Sequence, residues 1–195
     1  MKYVKDTFTQ ILEIKQSKFI AYLTSYSNYD KTLATLKLQH PKARHFVVAY
    51  RYLNDYLQVV EHSSDDGEPK GTSGKPSLMV LQGNELINSA VIIVRYFGGT
   101  KLGTGGLVRA YSDAVNLVIS RANLNEYIKE KEVKIRINYS DVRMIEYECE
   151  LNKIDIYSKV FESDVFYFLR GSESVIDSFL EKVDRVILST VNSTS

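Results

Sequence analysis

The chain has 195 residues, 44% of them hydrophobic, with one Cys, three Pro and ten Gly, and this balance excludes disordered, collagen-like and coiled-coil classes. Its length suits one or two modest globular domains, and its longest apolar runs, residues 46–50 and 90–94, are about a quarter of the roughly 20 residues that cross a bilayer. The 25 basic and 24 acidic side chains exclude binding of nucleic acid by bulk charge, but residues 1–126 hold 15 basic and 11 acidic groups, so the first part is the better candidate for an anionic partner.

Residues 18–26 (KFIAYLTSY) are β-branched and aromatic in the manner of a strand, and Asp30 then caps a helical segment carrying Leu33, Leu36 and Leu38 up to Pro41. His40, just before that proline, reads as a helix-end residue. Residues 45–52 and 56–63 are strand-like runs around Asn54-Asp55, which predicts a tight hairpin with Val47 opposite His62. Alternation then puts His45, Arg51, Gln58 and His62 on one face and Phe46, Val48, Tyr50, Leu57 and Val59 on the other, taken as the core face. Residues 63–76 are a long polar loop, and Pro76 with Leu78, Met79 and Leu81 opens a helix ending near Gly83. The nearly continuous apolar run 90–97 predicts a central strand buried on both faces. A second glycine loop, residues 98–106, leads into a helix with Leu107, Ala110, Tyr111, Ala114, Leu117 and Val118 at helical spacing. After a linker at 122–131, strands at 133–138, 154–161, 165–170 and 185–190 and helices at 141–153 and 174–183 predict a βαββαβ order, the ferredoxin-like arrangement. The domains are therefore expected at 1–125 and 130–195.

Eight glycines (Gly67, Gly71, Gly74, Gly98, Gly99, Gly103, Gly105, Gly106) crowd into one 40-residue window. Unpaired N–H groups at a helix start bind anions, so Gly103 to Gly106, with Arg95, Lys101 and Arg109 nearby, form a candidate phosphate site together with Gly98 and Gly99. The same glycines also serve a tight strand-to-helix turn. His45, Asp65, Asp66, Glu68 and Lys75 form an accessory group on the first loop. As metal ligands, Asp65, Asp66, Glu68, His45 and His62 lack helix spacing such as H-E-x-x-H, and loop carboxylates beside Gly and Pro are commonly turn formers, so no metal is expected. A P-loop ending at Gly74-Lys75 fails at Pro69 and Pro76, and a dinucleotide fingerprint from Gly103 fails at Val108, so no nucleotide cofactor is implied. No G-x-S-x-G occurs, Cys149 falls on a predicted helix as a half-buried thiol, and Tyr50, Tyr96 and Tyr111 sit at core spacing. The lone cysteine and the absence of a secretory pattern in MKYVKDTFTQ point to the cytoplasm.

Taken together, Asp65-Asp66-Gly67-Glu68-Pro69-x-Gly71-Thr72-x-Gly74-x-Pro76 and Arg95-Tyr96-Phe97-Gly98-Gly99-x-x-Leu102-Gly103-x-Gly105-Gly106-Leu107-x-Arg109-Ala110-Tyr111 resemble the signature of the IMPACT family. With Lys18-Phe19-Ile20 and His45 through Tyr50, the resemblance covers about residues 1–122. It implies an α+β protein: an N-terminal βαβ domain like domain IV of elongation factor G, then a ferredoxin-like domain like domain V of that factor. The implied function is contact with RNA, the ribosome or a translation-associated protein in translational regulation, without settled enzyme chemistry. Two positions depart from the family pattern: Ser73 replaces a usual Ala, and Phe46-Val47-Val48 stands where a Cys is common. The alternative is a small enzyme on a phosphorylated or peptide substrate, with Asp66 or Glu68 as base.

Overall fold

The computed structural model describes residues 1–192 and divides into two units, Met1–Tyr127 and a second from Ile128 onward. The first holds β1 (Lys2–Tyr3), β2 (Phe8–Ile14), β3 (Ser17–Ser25), α1 (Tyr29–Gln39), β4 (His45–Leu53), β5 (Val59–Ser64), α2 (Gly74–Gly83), β6 (Ser89–Tyr96), α3 (Gly103–Ser120) and β7 (Asn125–Glu126). The second holds β8 (Glu130–Ile137), α4 (Val142–Leu151), β9 (Asp155–Phe161), β10 (Val165–Ser172), α5 (Glu173–Val183) and β11 (Ile187–Asn192).

The apolar run of β6 occupies the centre of a five-stranded sheet in the order β2-β3-β6-β4-β5. Every pairing in it is antiparallel. Since β3 and β4 both run opposite to β6, they run parallel to each other, and β3–α1–β4 is a βαβ crossover with β6 inserted between its strands. Leu36 of α1, with Leu33 and Tyr29, packs on Ile20, Val48, Ile92 and Val94. On the opposite face Leu81 of α2 and Leu107, Ala110, Tyr111, Ala114, Val115 and Val118 of α3 pack on Phe19, Ala21, Leu23, Val47, Ala49, Val91 and Ile93. Helices on both sides remove water from both faces of β6, which is why its sequence is continuous rather than alternating. Residues on α3 at 107, 110, 111, 114, 115 and 118 form one apolar stripe of helical period.

The hairpin differs from the expectation. Leu53 pairs with Val59 and Tyr50 with His62, so the connection spans Asn54 to Gln58 instead of two residues. The Asn54 side chain organises it, its Oδ1 accepting from the backbone N–H of Tyr56 (3.0 Å) and Gln58 (2.9 Å), while Leu57 takes a left-handed φ of 57°. His62 consequently stacks on Tyr50, ring centroids 5.0 Å apart, and does not share a face with His45. Nor is the Phe46/Val48 face the only buried one, because Val47 and Ala49 are fully buried under α2 and α3. Three elements, β1, β2 and β7, fall where no strand is expected.

In the second unit the strand order is β11-β8-β10-β9, again antiparallel throughout. Ile145 and Cys149 of α4 and Ile176, Phe179 and Val183 of α5 bury Val133, Ile135, Ile137, Val165, Tyr167 and Leu169. Both helices therefore cover one face of this sheet. Among the described residues no helix is long and apolar enough to cross a membrane.

Candidate functional site

Two glycine-rich segments flank α2 and β6, and their backbones meet different constraints. An added Cβ on Gly74 would lie 2.7 Å from the Ser64 carbonyl carbon, and one on Gly98 only 2.0 Å from the Gln16 carbonyl carbon. These two glycines admit close backbone approach, one seating α2 against β5 and the other closing the end of β6 on the β2–β3 turn. At Gly105, by contrast, an added Cβ meets nothing within 4 Å. Gly103 to Gly106 do not precede the helix but form its first turn, and the N-cap residue Leu102 makes no side-chain cap.

The carboxylates of the first loop are all engaged within the protein. Asp65 Oδ2 accepts the Gly71 N–H at 2.7 Å, and its Oδ1 accepts the N–H of Ser73 (3.1 Å) and Gly74 (2.8 Å) and the Ser73 hydroxyl (2.7 Å). Burial pushes the Asp65 pKa upward, but the four donors outweigh it and hold the carboxyl below its ordinary value. Asp66 Oδ2 accepts the Phe46 N–H at 2.6 Å, and the Asp66 carbonyl accepts from His45 Nδ1 at 2.9 Å. Glu68 is buried, and its Oε1 accepts from Arg95 Nη1 at 2.5 Å and from the Tyr111 hydroxyl at 2.8 Å. Burial, then the Glu68 charge and this hydrogen bond, raise the Tyr111 phenol well above its usual range. Phe19 completes the packing, edge-on to Tyr111 at 5.1 Å and under the Arg95 guanidinium at 5.3 Å. A base role for Asp66 or Glu68 has to compete with these partners. Among the described residues no group of three or more His, Cys, Asp or Glu side chains is placed to hold a metal.

Arg95 is the hinge of the site. Its side chain is 7% exposed and its Nε is buried without a hydrogen-bond partner among the described residues. It lines two clefts. One, of about 370 Å³, is bounded by Glu68 and Pro69 of the first loop, by Arg95 and Phe97, and by Lys101, Leu102, Gly103, Thr104 and Leu107. The other, of about 410 Å³, is bounded by Lys42, Arg44, His45, Arg95, Tyr96 and Phe97. Both loops thus contribute to one concave surface, divided by Arg95 and by Phe97, which is 58% exposed. Of the expected residues, Glu68, Arg95, Lys101 and Gly103 line the first cleft and His45 the second. Asp65 and Asp66 build the loop behind them. Gly98, Gly99, Gly105, Gly106, Arg109 and Lys75 line neither cleft, and Arg109 and Lys75 are exposed.

Comparison with known proteins places this surface in a family. A model of the Impact N-terminal domain matches residues 15–119, a stretch that includes both loops and every residue lining the two clefts. The chain belongs to the IMPACT family. It is 37% identical over 172 residues to an IMPACT family member of Haemophilus influenzae, covering 86% of this chain and 82% of that protein. It is 36% identical over 166 residues to the IMPACT family member YigZ of Escherichia coli, covering 83% and 78%. A crystal structure described only as that of a hypothetical protein superposes with a TM-score of 0.61 at 29% identity, covering 94% of this chain and 91% of its own.

In this IMPACT protein, Lys42, Arg44 and Phe97 border the clefts although none of the three is among the expected site residues. The available signal was Phe97 itself, an aromatic residue placed between a buried strand and a Gly-Gly pair. His40 is more than a helix end: its Nε2 hydrogen-bonds Tyr22 at 3.0 Å and its Nδ1 bonds Tyr96 at 2.9 Å, tying α1 to β3 and β6. Cys149 lies in the second core, and burial, then the Glu146 charge, push its thiol up to about 12.

Proposed function

We propose that the protein binds RNA, on or near the ribosome, through the paired clefts of its first unit, and that this contact serves translational regulation in the cytoplasm. The observation that carries the reading is the exposed Phe97 between two clefts bordered by Lys42, Arg44, Arg95 and Lys101. Aromatic faces stack on bases and Lys and Arg side chains neutralise phosphates, so this combination suits a single strand with little sequence preference. In this reading Gly103, at the first turn of α3, lets a phosphate approach the free backbone N–H groups, while Glu68 holds Arg95 in place.

The translational role rests on the resemblance to the IMPACT family. The architecture is compatible with the fold which that resemblance implies. A β3–α1–β4 crossover with an inserted antiparallel strand suits the domain IV type of elongation factor G, and the second unit's βαββαβ order suits a ferredoxin-like domain.

Anisotropy of a labelled single-stranded RNA, titrated at several salt concentrations, tests the proposal. Affinity is expected to fall with salt, and Arg44→Gln with Lys101→Gln should flatten the log–log slope by about 1.4 together, since each single-strand phosphate contact contributes about 0.7. Salt-independent binding, or an unchanged slope in the double variant, contradicts it. Arg109→Gln, outside both clefts, should leave the slope as it is.

A further inference from the structure

A second surface lies on the other unit and takes no part in the clefts. Alternation along β8 and β10 turns Val133, Ile135, Ile137, Val165, Tyr167 and Leu169 toward α4 and α5. Lys134, Arg136, Phe166, Phe168 and Arg170 therefore stand on the opposite face, which neither helix of this unit covers. The register sets Phe166 beside Arg136 and Phe168 beside Lys134 on the central pair of strands. Lys134 Nζ sits 4.4 Å from the centroid of the Phe166 ring and 5.2 Å from that of Phe168. Tyr157 on β9 extends the row, its ring 6.1 Å from Phe168 and under the Arg170 guanidinium at 4.9 Å.

Lys134 distinguishes the occupant of this face. Glu132 is taken up by Arg170 Nε at 2.8 Å and by the Tyr157 hydroxyl at 3.3 Å, and Asp164 lies 3.3 Å from Arg136 Nε. Lys134 has no carboxylate partner among the described residues and is held only by the two rings. Two partly buried phenylalanines at i and i+2, with Lys134 over both rings and without a carboxylate partner among the described residues, fit a ligand with flat apolar faces and negative charge. A four-stranded antiparallel sheet that presents aromatic side chains in this way stacks two or three unpaired bases. A purely apolar partner would leave Lys134 desolvated without a counter-charge.

We infer that the open face of β8, β9 and β10 is a stacking platform for single-stranded nucleic acid, with bases on Phe166 and Phe168 and phosphates on Lys134 and Arg136. The platform is separate from the clefts around Arg95 and stands without them. A run of two or three nucleotides suffices to engage it, and base identity matters little because every base has a π-face.

The test uses the full chain and a fluorescein-labelled 12-nucleotide poly(U) RNA at low salt. Phe166→Ala with Phe168→Ala should weaken binding at least tenfold while leaving the thermal unfolding transition cooperative, and Phe168→Tyr should restore most of the affinity. Lys134→Gln with Arg136→Gln should flatten the salt slope. Ultraviolet crosslinking should label a peptide containing residues 165–170. Arg44→Gln with Lys101→Gln provides the contrast. If those cleft variants lose binding and the phenylalanine variants do not, the platform is overturned and the cleft reading stands. If the reverse holds, the platform stands and the cleft reading falls. Absence of binding by the unaltered protein overturns both, and a dimer that the phenylalanine variants break would assign this face to a second copy of the chain instead.

Discussion

Between β5 and α2, a single carboxylate, Asp65, accepts four hydrogen bonds from Gly71, Ser73 and Gly74, and the neighbouring Glu68 is sealed under Arg95 and Tyr111. Between β6 and α3, added Cβ atoms on Gly99, Gly103 and Gly105 meet nothing within 4 Å, as at Gly71 of the first segment, while one on Gly106 comes 3.1 Å from the Leu102 Cβ. The two segments share a composition, but the carboxylates of the first are bound up within the protein, while the second, beyond its anchor at Gly98, leaves space beside Gly99, Gly103 and Gly105. Glycine content alone did not tell them apart. The partners of the intervening polar residues did.

That contrast can be broken most severely at its anchor. Gly98→Ala drives a methyl into the backbone of Gln16 and Ser17, and we expect at least about 4 kcal/mol of lost stability, read from denaturant midpoints, or failure to fold. Next, Glu68→Ala leaves Arg95 charged and buried without its partner and should cost about 3–5 kcal/mol, while Glu68→Leu combined with Arg95→Met should recover much of that loss in the same melts. Asp65→Ala removes donors' partners at the loop surface and should cost about 2 kcal/mol. Because the folded carboxyl is held below its ordinary value, the stabilisation is fully present above the unfolded pKa and is lost as pH falls through the folded one. Melts of the wild type should therefore weaken below about pH 4 by an increment that Asp65→Asn lacks. The smallest effect carries the opposite sign. Gly105→Ala, helical and unobstructed, should raise stability by about 0.5–1 kcal/mol, and unchanged or lower stability would show that the first turn of α3 is not as open as its surroundings indicate.

Sequence periodicity was most informative where strands and helices have one buried side each. The second unit is an example: the expected strand at 165–170 and helix at 174–183 meet β10 and α5 almost residue for residue. It was least informative where turn chemistry decides. Asn54-Asp55 has the composition of a two-residue turn, but Asn54 gathers two backbone N–H groups and Leu57 accepts a left-handed backbone, moving the register of β5 by three residues. Strand β2 escaped because Ile11, 48% exposed, lies on the outer side and obscures the alternation of Phe8, Gln10, Leu12 and Ile14. At the candidate site, Arg95 and Lys101 were legible from their place beside the glycine loop. The burial of Glu68 was not, since an acid among Gly, Pro and Lys reads as solvated, and its partners lie 27 and 43 residues further along the chain.

The first strand of the chain pairs with nearly the last segment of its own unit. Lys2 and Tyr3 of β1 lie against Glu126 and Asn125 of β7, and the Lys2 N–H and C=O also bond the backbone of Glu85 and Ile87. The fully buried Val4 follows directly. On the ribosome, the residues of β1 must therefore wait for those of β7, made more than a hundred positions later. At about 5–20 residues per second that interval is roughly 6–25 s, during which β7 is not yet there to pair with β1. Closure of the unit is thus coupled to completion of its own synthesis.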